Sequence, residues 1–272
     1  MNRAAIGIFD SGIGGLTVAR AIYELLPREH TIYLGDTARV PYGPKSPATV
    51  RRYSHEILEW LLGQGVKAVV VACNTATAHA LDSLRAVSPV PVIGVVEPGA
   101  RAAVAASSQG KVAVIGTAGT VASGAYRRAL LALQPSLQVT EQACPLFVPL
   151  VEEGWFDHPA TRLVAEEYLG AVRAAGVDAL VLGCTHYPLL KPLLGELLGP
   201  DVALIDSAQE TARDLADALA SQGLESDGTA PPSHRWVATD DVARFARVGT
   251  LFTGRPLEAV ELVELGGSPV TG

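Results

Sequence analysis

The chain has 272 residues, 49% of them hydrophobic and 18% charged, with a formal net charge of −7. That length suits one large domain or two ordinary ones, and an acidic chain without blocks of like charge excludes nucleic acid and anionic membrane as partners. No apolar run reaches the ~20 residues of a membrane span, and three cysteines make no disulfide framework, so reduced thiols and a cytoplasmic location are expected.

Strand and helix signals alternate along most of the chain. Residues 1–3 lead straight into a strand at 4–9, so no signal peptide is expected. A Gly-rich turn, Asp10-Ser11-Gly12-Ile13-Gly14-Gly15, precedes a helix at 14–26. A strand at 31–34, a Gly- and Pro-rich loop at 35–47 and a helix at 48–62 follow. Residues 67–72 form an apolar, β-branched run that stops at Cys73, which reads as a strand buried on both faces. Asn74 or Thr75 then caps a helix at 76–86, and the nearby helix N-terminus is expected to favour the Cys73 thiolate. A strand at 92–96 closes the first half.

The second half repeats the plan. It reads as a strand at 111–115, a helix at 120–133, a strand at 137–143, a Pro- and Trp-containing loop at 145–157 and a helix at 161–175. A strand at 178–182 ends near Cys184, before a helix at 189–198 and a strand at 202–205. After a helix at 208–219, residues 222–233 read as an exposed connection. Residues 234–239, 240–247 and 257–265 make a β-α-β tail whose sheet partner is not legible, and 266–272 read as frayed. This pattern indicates parallel sheets covered by helices.

The halves align at matched landmarks. Ser11 precedes Cys73 by 62 residues, and Thr117 precedes Cys184 by 67. Glu97 follows Cys73 by 24, and Asp206 follows Cys184 by 22. Near-equal spacings point to an internal duplication and to two similar α/β domains. The boundaries expected are 1–97 plus 207–272 for the first and 98–206 for the second.

One strand-end cysteine is ordinarily packing. Two, in matched settings at the carboxyl ends of parallel strands, suggest a site built from both halves. A zinc site from Cys73, His79, Cys184 and His186 is an alternative, although neither half has Cys-x2-Cys spacing. Cys144 has no counterpart and reads as a buried thiol. The turn at 10–15 lacks the Lys-Ser/Thr of a P-loop and suits a small anion such as a carboxylate. Asp10, a carboxylate at the end of a buried strand, is costly there unless used or paired. Val40, Pro41, Tyr42, Gly43 and Pro44 form a stiff loop able to close over a ligand. Glu152, Glu153 and His186 are candidate acids or bases. Lys45, Lys67, Lys111 and Lys191 are the only lysines, and none has a pyridoxal phosphate setting.

Two thiols facing each other across a cleft can remove a proton from one face of a carbon and return one to the other. An ordinary thiol pKa of about 8.5 needs only a modest downward shift for such work. Inversion of a stereocentre also explains why the halves are alike. The residues alone therefore reach a cofactor-independent racemase or epimerase.

At FDSGIGG (9–15), GDTARVPYG (35–43), ACNTATA (72–78), VIGTAGTV (114–121), PLVEEG (149–154) and GCTHYP (183–188) the chain closely resembles the glutamate racemases of the aspartate/glutamate racemase family. The resemblance runs from about residue 6 to 265. It implies interconversion of L- and D-glutamate without cofactor or metal, supplying D-glutamate for peptidoglycan, in a protein that is often a homodimer. It implies that Cys73 acts on D-glutamate and Cys184 on L-glutamate, assisted by Asp10, His186 and Glu152. It places the substrate against Asp10, Ser11, Pro41, Tyr42, Gly43, Asn74, Thr75, Thr117, Thr120, Thr185 and His186. The chain begins almost at its first strand, so control through an N-terminal extension that binds a cell-wall precursor is not expected. An aspartate or hydantoin racemase is the alternative within this chemistry. A zinc-binding or non-catalytic amino-acid-binding protein is the alternative outside it.

Overall fold

The computed structural model describes residues 3–266; the tail expectation for 267–272 lies outside them. The first half runs β1 (Ile6–Asp10), α1 (Leu16–Leu25), β2 (Thr31–Gly35), α2 (Pro47–Gly63), β3 (Ala68–Val71), α3 (Asn74–Val87), β4 (Val92–Gly94) and α4 (Val96–Ala106). The second runs β5 (Lys111–Gly116), α5 (Ala118–Ser123), α6 (Ala125–Leu133), β6 (Gln138–Ala143), α7 (Phe147–Glu152), α8 (Pro159–Ala174), β7 (Ala179–Gly183), a 3-10 turn (Tyr187–Leu190), α9 (Lys191–Leu198) and β8 (Ala203–Ile205). Then come α10 (Ala208–Ser221), β9 (His234–Ala238), α11 (Val242–Thr253) and β10 (Glu261–Leu262).

Two parallel sheets result, in the orders β10-β9-β2-β1-β3-β4 and β6-β5-β7-β8. Without the two tail strands, both halves have the same order: second, first, third, fourth. The duplication expected from spacing is thus a repeated topology. In this order the chain reverses direction between the first and third strands, and ligands bind beyond the carboxyl ends there. Asp10 ends β1 and Cys73 follows β3; Thr117 follows β5 and Cys184 follows β7. Both pairs sit at their sheet's switch point.

The strands are continuous apolar runs because helices cover both faces. All four residues of β3, Ala-Val-Val-Val, are buried. One core cluster includes Ile8, Ile22 and Tyr33 from the first half and Ile115, Leu182 and Leu215 beyond it, so the two sheets share a core. Phe9, Val71 and Ile57 fill the other face of the first sheet, and Val114, Ala103 and Leu130 that of the second.

The elements differ from expectation at several points. The N-cap of α3 is Cys73 itself, not Asn74 or Thr75. The helix expected at 120–133 is two helices, broken at Gly124, whose φ of +63° suits glycine. The loop at 145–157 contains α7. Helix α4 was not foreseen; Pro98 lies in its first turn, where a missing N–H breaks no helical bond. Helix α11 extends beyond residue 247 to Thr253, and β10 has only two residues. The connection at 222–233 is anchored: Ser226 is buried, and its N–H donates to Glu29 Oε1 at 2.7 Å.

Candidate active site

The Gly-rich turn lies directly against the second half. A Cβ on Gly14 would stand 2.3 Å from Thr185 Oγ1 and 2.4 Å from His186 Nδ1. The Thr17 hydroxyl donates to Thr185 O at 3.2 Å. Gly12 N donates to Asp10 Oδ2 at 3.0 Å, and Tyr33 OH donates to Gly12 O at 3.0 Å. Asp10 is buried, and its Oδ1 has no hydrogen-bond partner among the described residues. Burial raises the Asp10 pKa, opposed in part by the charge of His186 and by N–H groups of the turn.

Cys73 is 5% exposed, and its sulfur accepts from Ala76 N at 3.4 Å. The expected downward shift does not occur. Burial first, then the charge of Asp10, outweigh that bond and the contacts of Ser11, and push the thiol up to about 12. Cys184 is 7% exposed, with its sulfur 3.8 Å from His186 Nδ1. His186 Nε2 bonds Glu152 Oε1 at 2.9 Å, and Arg244 Nη2 donates to Glu152 Oε2 at 2.8 Å. Burial alone would lower the His186 pKa, but Cys184 and Glu152 raise it to about 10. Burial would raise Glu152, but His186 and Arg244 hold it below its usual range.

The surroundings of the two cysteines are linked electrostatically. Asp10 acts electrostatically on both Cys73 and His186, and His186 touches Cys184. Tyr126, whose OH donates to Asn74 Oδ1 at 2.7 Å, also lies within electrostatic reach of Cys184. Between the halves, the hydroxyls of Thr75, Thr117 and Thr120 form a triangle with edges of 2.9, 3.1 and 3.1 Å. Gly119 N donates to Gly43 O at 2.9 Å, so the loop at 40–44 meets the second half. Within that loop the Tyr42 hydroxyl donates to buried Asp36, while Pro41 is exposed.

Asp10 and Ser11 thus lie beside Cys73, and His186 lies beside Cys184 with Glu152 behind it. Asn74 meets Tyr126, Thr185 meets the Gly-rich turn, and Thr75, Thr117 and Thr120 share one hydroxyl triangle. The Tyr42 hydroxyl is committed to Asp36 and lies within electrostatic reach of Cys73. Cys144 is fully buried, its sulfur 3.7 Å from Gln142 O. All three cysteines are free. His79 Nε2 bonds Gly119 O at 3.1 Å, and no group of three or more His, Cys, Asp or Glu side chains able to hold a metal occurs among the described residues. Arg244, Tyr126 and Phe252, whose ring lies edge-on to His186 with centroids 5.3 Å apart, were missed. Only Tyr126, in the helix after VIGTAGT, was near a motif.

A deeply buried thiol, a thiol paired with an imidazole, a carboxylate with one free oxygen and a ring of hydroxyl donors are the parts needed to move a carbon-bound proton in a site that excludes water. No helix among the described residues is long and apolar enough to cross a membrane.

The family model for Asp/Glu/hydantoin racemases matches residues 6–215. A glutamate racemase of Geobacter metallireducens is 53% identical over 261 residues, covering 96% of this chain and 97% of that one. A glutamate racemase isoform of Bacillus anthracis has a crystal structure with a TM-score of 0.93 at 40% identity, covering 97% of this chain and 98% of that one. The glutamate racemase of Francisella tularensis, solved in complex with D-glutamate, gives 0.91 at 37% identity, with coverage of 97% and 98%.

Proposed function

Since the chain belongs to the Asp/Glu/hydantoin racemase family, we propose that it interconverts L- and D-glutamate without a cofactor, one thiol removing the α-proton and the other returning a proton to the opposite face. The observation that carries this reading is the repeat: Cys73 and Cys184 follow equivalent strands at two switch points, with Asp10 in electrostatic reach of Cys73 and of the His186 that stands beside Cys184. That the relatives are glutamate racemases, and that the Francisella protein is solved in complex with D-glutamate, supports glutamate as the substrate.

The two sides differ in protonation. With its pKa near 12, Cys73 is a thiol at neutrality and serves as proton donor. His186, protonated up to about pH 10, faces Cys184 with positive charge. Cys184 takes the α-proton of L-glutamate, the bonding pair stays on the α-carbon, and Cys73 delivers its proton from the other side. The product is D-glutamate, and the thiols exchange protonation states. Starting from that second state, D-glutamate returns to L. The α-proton is a weak acid, so the developing charge needs donors on the substrate carboxylate. Asn74, the hydroxyls of Thr75, Thr117, Thr120 and Thr185, and the backbone around Ser11 and Gly43 fill that role.

The same reading assigns D-glutamate to peptidoglycan synthesis, a cytoplasmic location and a homodimer. It divides the chain into domains at 1–97 plus 207–272 and at 98–206. The test is a substrate panel in D2O after chelation. L-Glutamate is expected to racemise and gain deuterium at the α-carbon while L-aspartate stays unchanged. Turnover of aspartate instead would overturn the substrate, and exchange of neither would overturn the chemistry.

A further inference from the structure

Glu152 spends its two carboxylate oxygens on two cations. Oε1 faces His186 Nε2 at 2.9 Å, and Oε2 accepts from Arg244 Nη2 at 2.8 Å. His186 Nδ1 in turn lies 3.8 Å from Cys184 Sγ. Arg244, Glu152, His186 and Cys184 therefore form one line from the protein's rim to a catalytic sulfur. Side-chain exposure falls along it, from 41% at Arg244 to 14% at Glu152 and 4% at His186. The arginine stands beside a cavity of about 300 Å³ that Gly12, Val40, Asp240 and Phe245 also line.

The arginine comes from α11, in the tail, outside every motif of the sequence. The start of that helix is fixed by Asp241, whose Oδ1 accepts from Arg244 N at 2.9 Å. About two turns further on, Phe252 rests edge-on against the His186 ring at an interplanar angle of 86°. The same helix thus touches the His–Glu pair twice.

We propose that Arg244 is a positioning residue for the Cys184 half of the reaction, acting through Glu152 and His186; the inference rests on the two-thiol reading above. An ionised Glu152 accepts from Nε2–H, and this leaves Nδ1 as the nitrogen that exchanges a proton with Cys184. Arg244 keeps Glu152 ionised and stops its carboxylate from turning away. Among the described residues, the groups acting on Cys73 include Ala76 N, Ser11 and Asp10, and no imidazole–carboxylate pair.

The test compares wild type, Arg244→Gln and Arg244→Lys. Because the two enantiomers are equally stable, kcat/KM must fall equally in both directions, by about ten- to a hundredfold for Arg244→Gln, the effect of losing a charged hydrogen bond. The asymmetry shows in isotope effects. With α-deuterated substrates, the effect should rise for L-glutamate, whose proton goes to Cys184, and fall for D-glutamate. The acid limb of the pH profile should move to higher pH, because Glu152 loses a cation that lowers its pKa. The titratable groups around this pair are Arg244, Asp240 and Asp241 of the tail, Asp10 of β1 and Cys184. Arg244→Lys should restore most of the rate. The proton resonance of the His186 Nε2–H reads the same coupling without turnover and should shift in Arg244→Gln. If that resonance is unchanged, or activity falls with an unshifted acid limb and unaltered isotope effects, the proposal is overturned. Absence of glutamate turnover in the wild type, with the resonance still moving, would overturn the racemase reading and leave the coupling standing.

Discussion

Cys73 caps its own helix, and that N–H from Ala76 works against two stronger influences. Burial and the neighbouring Asp10 carboxylate hold the thiol near 12. Asp10→Asn removes the charge, so the thiol pKa should fall. Iodoacetamide should then label Cys73 several-fold faster at pH 8, read by mass spectrometry; an unchanged rate would contradict the role given to Asp10. His186 makes the opposite case. Its folded pKa of about 10 lies above the ~6.5 of an unfolded histidine. Its contribution to stability is therefore complete below ~6.5 and is lost as the pH rises through about 10. Denaturant unfolding at a series of pH values should show less alkaline loss of stability in His186→Gln than in wild type, and equal slopes would contradict the assignment. Cys73, Cys184, Asp10 and His186 were legible in the sequence because strand ends are marked by an abrupt change from apolar to polar residues. Arg244 was not, because its partner lies 92 positions away and only docking of the tail brings them together.

Elements follow the same division between local and tertiary signals. Buried parallel strands read as short apolar runs, so β1, β3, β5 and β7 stood out. Helix α7 was hidden in a stretch with Pro145, Pro149 and Trp155, and α4 by Pro98 and Gly99. The pairing of β9 with β2 depends on the tail folding back over nearly the whole chain, which no local pattern encodes. What aligns the two halves is close backbone approach. Gly14 has no room for a Cβ against Thr185 and His186. Gly14→Ala should destabilise the protein by about 1–3 kcal/mol through overpacking, lower its Tm by several degrees, and cut kcat because His186 is displaced. Calorimetry with wild-type Tm and unchanged kcat would show that this contact does not set the geometry.

At the scale of the whole molecule, two like sheets share one core, and the tail closes over both the site and the far end of the first sheet. At that far end Lys67 Nζ lies 2.5 Å from Glu29 Oε2, both side chains almost fully buried, and Glu29 Oε1 accepts from Ser226 N in the connection to the tail. A buried charge left without its partner is costly, so Lys67→Met should cost about 3–5 kcal/mol. Adding Glu29→Gln, which keeps an acceptor for Ser226 and removes the stranded charge, should recover part of that loss in denaturant unfolding; no recovery would assign the cost to packing around Lys67. The central claim is that each half supplies one base, and incubation of wild type, Cys73→Ala and Cys184→Ala with each glutamate enantiomer in D2O tests it most directly. Wild type should racemise both with deuterium at the α-carbon of the product, and each variant should lose racemisation by roughly 10²–10⁴-fold while keeping its fold. Racemisation near the wild-type rate by either variant would contradict the account.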